Sequence, residues 1–212
     1  MAQRQMLVDV IGKRAEDIPQ AFTPYKEVLD VYDEGLELPD DVTIIWPDDN
    51  YGYMKRLSSP KEQKRSGRSG VYYHSSYLGK PHDHLWMNTV SPTLLYEELR
   101  KAYDMTADRI WLLNAGDIKS CEFAVDYFLT MAFDINAFSF ERAANYRTEW
   151  LCGMLGDEYR EEYQDVINSF YKLAFERKPE FMGWGYQWAT DKHGNERNTD
   201  TDFSFTNYRE AD

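Results

Sequence analysis

Apolar and polar positions alternate in blocks along the chain rather than residue by residue. Residues 15–36 turn helical in their second half, with Pro24 placed for a first turn and Val28, Leu29, Val31 and Tyr32 as an apolar stripe. Gly35 then suits a helix C-cap. Pro39-Asp40-Asp41 reads as a turn, and Val42 to Trp46 as a strand. That strand barely alternates, which predicts burial on both faces and so a parallel sheet. Residues 55–69 are polar and basic and predict a long loop, of the length that often carries function. Gly70 to Leu78 reads as a second strand. Ser91-Pro92 caps a helix that presents Leu94, Leu95, Leu99 and Tyr103 on one side. Arg109 to Asn114 is a third strand, and Glu122 to Phe133 another helix.

The order helix, strand, loop, strand, helix, strand, helix predicts an α/β fold with parallel strands. Two successive amphipathic helices follow, over 139–155 and 159–177, broken at Gly156-Asp157. No strand separates them, so they predict a helical hairpin outside the sheet. The last 30 residues are polar, dotted with aromatics, and read as irregular.

Composition narrows the partners. Of 212 residues, 42% are hydrophobic and 16% aromatic, enough for a packed core. The 16 Tyr, 11 Phe and 6 Trp can serve as carbohydrate platforms or as core, and core is the commoner use. A net charge of −13 argues against nucleic acid and against an anionic membrane surface. An acidic substrate would need a local Arg or Lys, for which Lys55, Arg56 and Lys119 are the candidates. Cys121 and Cys152 are too few for a disulfide framework and lack metal-type spacing. The N-terminal residues lack the features of a signal peptide, and no apolar run has membrane-spanning length.

Three strands end in polar tips. The first delivers Asp48, Asp49 and Asn50; the second ends near His74 and is followed by His82, Asp83 and His84; the third delivers Asn114, Asp117, Lys119 and Glu122. In parallel α/β folds the C-terminal strand ends form one rim, and ligands bind there. Each acid taken alone is more often a turn or cap residue. Three acidic tips on consecutive strands favour a site. His82-Asp83-His84 offers only two imidazoles on one face, a poor metal set. No dinucleotide or phosphate-loop motif, nucleophile elbow or Cys–His pair occurs, so no cofactor is expected. Carboxylates beside aromatics without a cofactor fit glycoside hydrolysis, which needs two acids only.

The runs RAEDIPQAFTPYKEVLDVYDEGLELPDDVTIIWPDDNYGYMKRLSSPKEQKRSG, SGVYYHSSYLGKPHDHLWMNT and ADRIWLLNAGDIKSCEF resemble glycoside hydrolase family 115, the xylan α-1,2-glucuronidases. The resemblance implies an inverting hydrolase that removes glucuronic acid or its 4-O-methyl ether from xylan without a required metal. It also implies part of a TIM-like (β/α) barrel over 1–136 and the start of a helical-bundle domain over 137–212. By motif it points to Asp48 or Asp49, to Asp83, and to Asp117 or Glu122, with Asp83 and Glu122 taken as the acid and base pair and Asp49 as a further catalytic candidate. Trp46, Asp48, Asn50, Tyr73, His74, His82 and Asp117 are then substrate contacts. Two departures stand out: Arg68 where the family's loop has glycine, and His84 where an aromatic is usual after Pro-His-Asp. Family members are several times longer, so the chain corresponds to the second half of the barrel. A complementing barrel half or a second copy is then an expected partner, and a periplasmic or extracellular location is implied. The alternatives are a carbohydrate-binding remnant without catalysis and an assembly piece without a ligand.

Overall fold

The computed structural model describes residues 2–77, 87–116, 118–176 and 178–179, and the backbone of 187–190 and 196–199. Helix α1 spans Ala2–Ile11, followed by β1 (Ala21–Phe22), α2 (Glu27–Asp33), β2 (Thr43–Pro47), β3 (Ser69–His74), α3 (Pro92–Asp104) and β4 (Ala107–Asn114). Then come α4 (Glu122–Phe133), α5 (Phe140–Leu155), α6 (Arg160–Glu176) and the strands β5 (Gln187–Thr190) and β6 (Glu196–Thr199). Strands β1 to β4 form one sheet in sequence order. β1 pairs parallel to β2 with Ala21 opposite Thr43, and β2 pairs parallel to β3 with Ile44 opposite Ser69 and Pro47 opposite Tyr72. The Ser69 amide donates to the Thr106 carbonyl and the Ser75 amide to that of Asn114, so β4 runs alongside β3 in the same direction. The predicted α/β fold with parallel strands is the one observed.

The described residues gather into two compact units. The first comprises those of 1–49, 53–73 and 99–112; the second, those of 50–52, 74–98 and 113–212.

In the first unit every residue of β2 is buried, as its unbroken apolar run requires. The sheet is packed so closely that glycine is needed beside it. A Cβ on Gly70 would lie 2.1 Å from the Ile110 carbonyl oxygen. Arg68 occupies the left-handed region with φ of 52°, which explains why glycine suits this position. Its guanidinium offsets that cost by gripping Asp108, with Nε 2.7 Å from Oδ1.

Helix α2 starts at Glu27, later than the position of Pro24 suggested. Lys26 has a φ of 53° and breaks the helical path, while Pro24 is wholly buried. Gly35 ends the helix at a φ of 111°. Helix α1 had no sequence signature because it buries no residue; Arg4 ties it down, donating to Asp41 over 2.8 Å.

In the second unit, Ser91 Oγ accepts the Leu94 amide at the start of α3. Ser139 Oγ likewise accepts the Arg142 amide at the start of α5, and Gly156 closes that helix at a φ of 97°. Helices α4 and α5 share one aromatic core. The Tyr127 and Phe138 rings stack at 4.4 Å, and Tyr146 meets Phe138 edge-on at 4.7 Å. Arg147 of α5 lies over Phe170 and Tyr171 of α6 and donates to the Tyr171 hydroxyl, which makes α5 and α6 the expected hairpin.

The region after α6 corrects the expectation of an irregular tail. β5 and β6 pair antiparallel, Gln187 opposite Thr199 and Thr190 opposite Glu196. Neither strand alternates in sequence, so periodicity hid them.

The 2.1 Å approach at Gly70 yields a direct test. Gly70→Ala is expected to destabilise the chain by about 3 kcal/mol, seen as a lower urea midpoint with an unchanged slope. An unchanged midpoint would mean β4 does not pack against β3 at this distance.

Candidate functional site

The C-terminal end of β2 is held by a buttress inside the first unit. Trp46 is fully buried; its Nε1 donates to Ser58 Oγ over 2.9 Å, and Ser58 Oγ donates to Ser69 Oγ over 3.0 Å. The Arg56 guanidinium lies 4.4 Å above the indole, and Tyr32 meets the indole edge-on at 5.8 Å. Glu62 joins both: Oε1 accepts from Arg56 Nη2 over 2.7 Å and from the Tyr32 hydroxyl over 2.9 Å. Its other oxygen accepts from the Ser59 amide over 2.6 Å.

Burial alone would raise the Glu62 carboxyl, but the Arg56 guanidinium, Ser59 and the Tyr32 hydroxyl outweigh it and hold it down to about 2. The Tyr32 hydroxyl is pushed up to about 12 by burial and by its bond to Glu62. The long polar loop over 55–69 is therefore a structural clamp on β2 in its first half. Arg56, offered from sequence as a cation for an acidic substrate, is occupied by Glu62, Asp33 and the indole face.

Beyond this clamp the strand delivers its acids. Asp48 is buried, and its amide donates to the Tyr72 carbonyl over 3.1 Å, continuing the sheet. Asp49 accepts from Lys55 Nζ at 2.8 Å and from the Tyr53 amide at 3.2 Å, while its own amide donates to the Tyr53 carbonyl. The hydrogen bond to Asp49 raises the Lys55 ammonium pKa and keeps it charged. These contacts are the turn bonds that follow many strands, and they also fix the direction of the Asp49 carboxylate. Trp46 and Tyr73 are both fully buried and, as packed, hold the strands from within.

The second unit gathers a different set. Asn50 takes a φ of 74°, a conformation Asn tolerates better than most residues, and it opens the turn of Asn50, Tyr51 and Gly52. The Tyr51 and Tyr77 rings meet edge-on at 6.4 Å, and His74, buried, meets Tyr77 edge-on at 5.6 Å. The Asn114 carbonyl accepts the Ser75 amide at 3.0 Å and the Ser75 hydroxyl at 3.2 Å, clasping the ends of β3 and β4. Lys178, beyond α6, donates to the Tyr51 carbonyl at 3.5 Å.

Glu122 opens α4, where a carboxylate is favoured by the helix dipole. Its side chain is 43% exposed, and Lys119, fully exposed, lies 3.8 Å away. His82, Asp83 and Asp117 lie outside the described residues. No group of three or more His, Cys, Asp or Glu suited to a metal occurs among the described residues, and no helix among them is long and apolar enough to cross a membrane.

Of the expected residues, Asp49 and the buried Asp48, Trp46 and Tyr73 fall in the first unit; Asn50, His74 and Glu122 fall in the second. Sequence reading passed over Tyr51, Tyr77 and Lys178. Tyr51 adjoins Asn50 and could have been flagged by its place on a strand tip. Lys178 comes to the turn from 127 residues away, and no spacing rule reaches that far.

Comparison with known proteins bears on this arrangement. Residues 1–181 match the model of glycosyl hydrolase family 115. Among solved structures, a novel family GH115 4-O-methyl-α-glucuronidase with specificity for decorated arabinogalactans superposes with a TM-score of 0.85 and 40% identity. The match covers 99% of this chain and 28% of that one. No curated protein matches.

The Glu62 clamp predicts a pH dependence. The carboxyl titrates at 4.5 unperturbed and at about 2 when folded. Its stabilisation is therefore complete above pH 4.5 and is lost as pH falls toward 2. Melting temperature should fall more steeply over that window for the wild type than for Glu62→Gln. Parallel melting curves for the two chains would show that Glu62 is not held by Arg56.

Proposed function

This chain belongs to glycosyl hydrolase family 115, and we propose that it carries part of the site that removes glucuronic acid, or its 4-O-methyl ether, from xylan. The observation that carries this reading is the 40% identical likeness to a 4-O-methyl-α-glucuronidase over 99% of the chain. The tip of β2 supports it: the strand ends in two acids, and Lys55 and the Tyr53 amide fix the direction of Asp49. Asp83 and Glu122 are proposed as the acid and base of an inverting mechanism, with Asp49 as a third catalytic carboxylate. One carboxylic acid protonates the leaving oxygen, and one carboxylate activates water on the opposite face of the sugar. The chain spans 28% of the solved relative's length, so a complementing barrel half, or another copy, is proposed to complete the site.

A second reading of the substrate has its own support. The solved relative is specific for decorated arabinogalactans, which makes a glucuronic acid cap on an arabinogalactan the rival to xylan.

Both are tested by assaying uronic acid release from glucuronoxylan and from a decorated arabinogalactan. Release from one polymer names the substrate. Asp83→Asn and Glu122→Gln should each lower the rate by about a hundredfold or more; full rate in both removes this acid and base assignment. Calorimetric binding without turnover would instead establish a carbohydrate-binding remnant.

A further inference from the structure

We propose that Tyr51 and Tyr77 form an aromatic platform that takes the C–H face of a pyranose ring beyond the ends of β2 and β3. This rests on the reading that the ligand is a glycan, and it concerns residues other than the acids of the hydrolysis. The two rings come from different strand ends. Tyr51 lies in the turn that follows β2, and Tyr77 follows the last residues of β3. β2 and β3 are neighbours and run parallel, and ligands of parallel α/β folds bind beyond such ends. There the Tyr51 and Tyr77 rings meet, edge-on at 6.4 Å with their planes 70° apart.

Burial separates these rings from the core. Trp46 and Tyr73, inside the strands, are fully buried, whereas Tyr51 and Tyr77 are half-buried. The buried His74 meets Tyr77 edge-on at 5.6 Å, so two perpendicular neighbours hold the plane of the Tyr77 ring. Tyr51 sits between Asn50 and Gly52, whose φ of 74° and 93° make its turn tight. A tyrosine has only two side-chain torsions, so a ring held this way presents contact area at low entropic cost. The face of an aromatic ring is electronegative and attracts positively polarised C–H groups. A pyranose ring carries such groups along its apolar side, whether it is the uronic acid or a neutral sugar of the polymer. Tyr159 and Tyr163, at the start of α6, also meet edge-on, at 6.5 Å, but they come from a single helix turn and not from two strand ends. They are the natural comparison.

The test titrates the 212-residue chain with sodium glucuronate, xylobiose and galactobiose, reading affinity and the sugar C–H proton shifts by NMR. In the wild type, stacked C–H protons should move upfield in the ring current, and the probe that moves most identifies the ring that stacks. Tyr51→Leu and Tyr77→Leu should each weaken its binding about fivefold, the scale of one aromatic contact. Tyr77→Phe, which keeps the ring, and Tyr159→Leu should both bind within about twofold of the wild type. Absence of an upfield shift with all three probes overturns the proposal, and this readout needs no variant to fold. Wild-type affinity in either strand-end Leu variant overturns it too, as does a fivefold loss in Tyr77→Phe or Tyr159→Leu. Because no turnover is read, the platform can hold while uronic acid release fails, or the reverse.

Discussion

The Arg56–Glu62 pair closing over Trp46 is the constraint on which the end of β2 depends. An indole this deeply buried needs a partner for its N–H, and Ser58 supplies it. The open face of the ring is covered by a guanidinium, which would be costly to bury without a counter-charge. Glu62 provides that charge and also takes the Tyr32 hydroxyl, so one carboxylate joins the loop, α2 and β2. Residues just beyond Trp46 inherit this rigidity. Asp48 and Asp49 thus leave the sheet from a fixed point.

The sheet itself is arranged with the same economy of space. Gly70 permits β4 to approach β3, and Arg68 accepts an unfavourable backbone conformation because Asp108 holds its side chain. β4 runs beside β3 in the same direction. The consequence within the second unit is visible at Asn114, whose carbonyl clasps Ser75 at the end of β3.

Much of this was legible in the sequence, for physical reasons that differ by element. β2 announced itself because a strand buried on both faces must be apolar throughout. The start of α3 was readable because Ser91 is a capping residue, and that of α5 because its amphipathic run begins at Ser139, which the structure shows to be its cap. α1 was invisible because it buries nothing, and the β5–β6 pair because neither strand alternates. The loop over 55–69 looked like an open functional segment; its first half is instead a clamp around Trp46, since a charged side chain in sequence does not reveal its partner. The acids at the β2 tip were found from their position after a buried strand. Lys178 was not found, because a contact across 127 residues belongs to the tertiary fold alone.

The central claim is our proposal that the cluster of Asn50, Tyr51, His74 and Tyr77 in the second unit belongs to the ligand-binding end of this chain. Mapping backbone amide shifts while titrating an aldouronic acid tests it most directly. The account predicts the largest shifts at Asn50, Tyr51, His74 and Tyr77. Shifts confined to α5 and α6, with the strand ends unmoved, would contradict it.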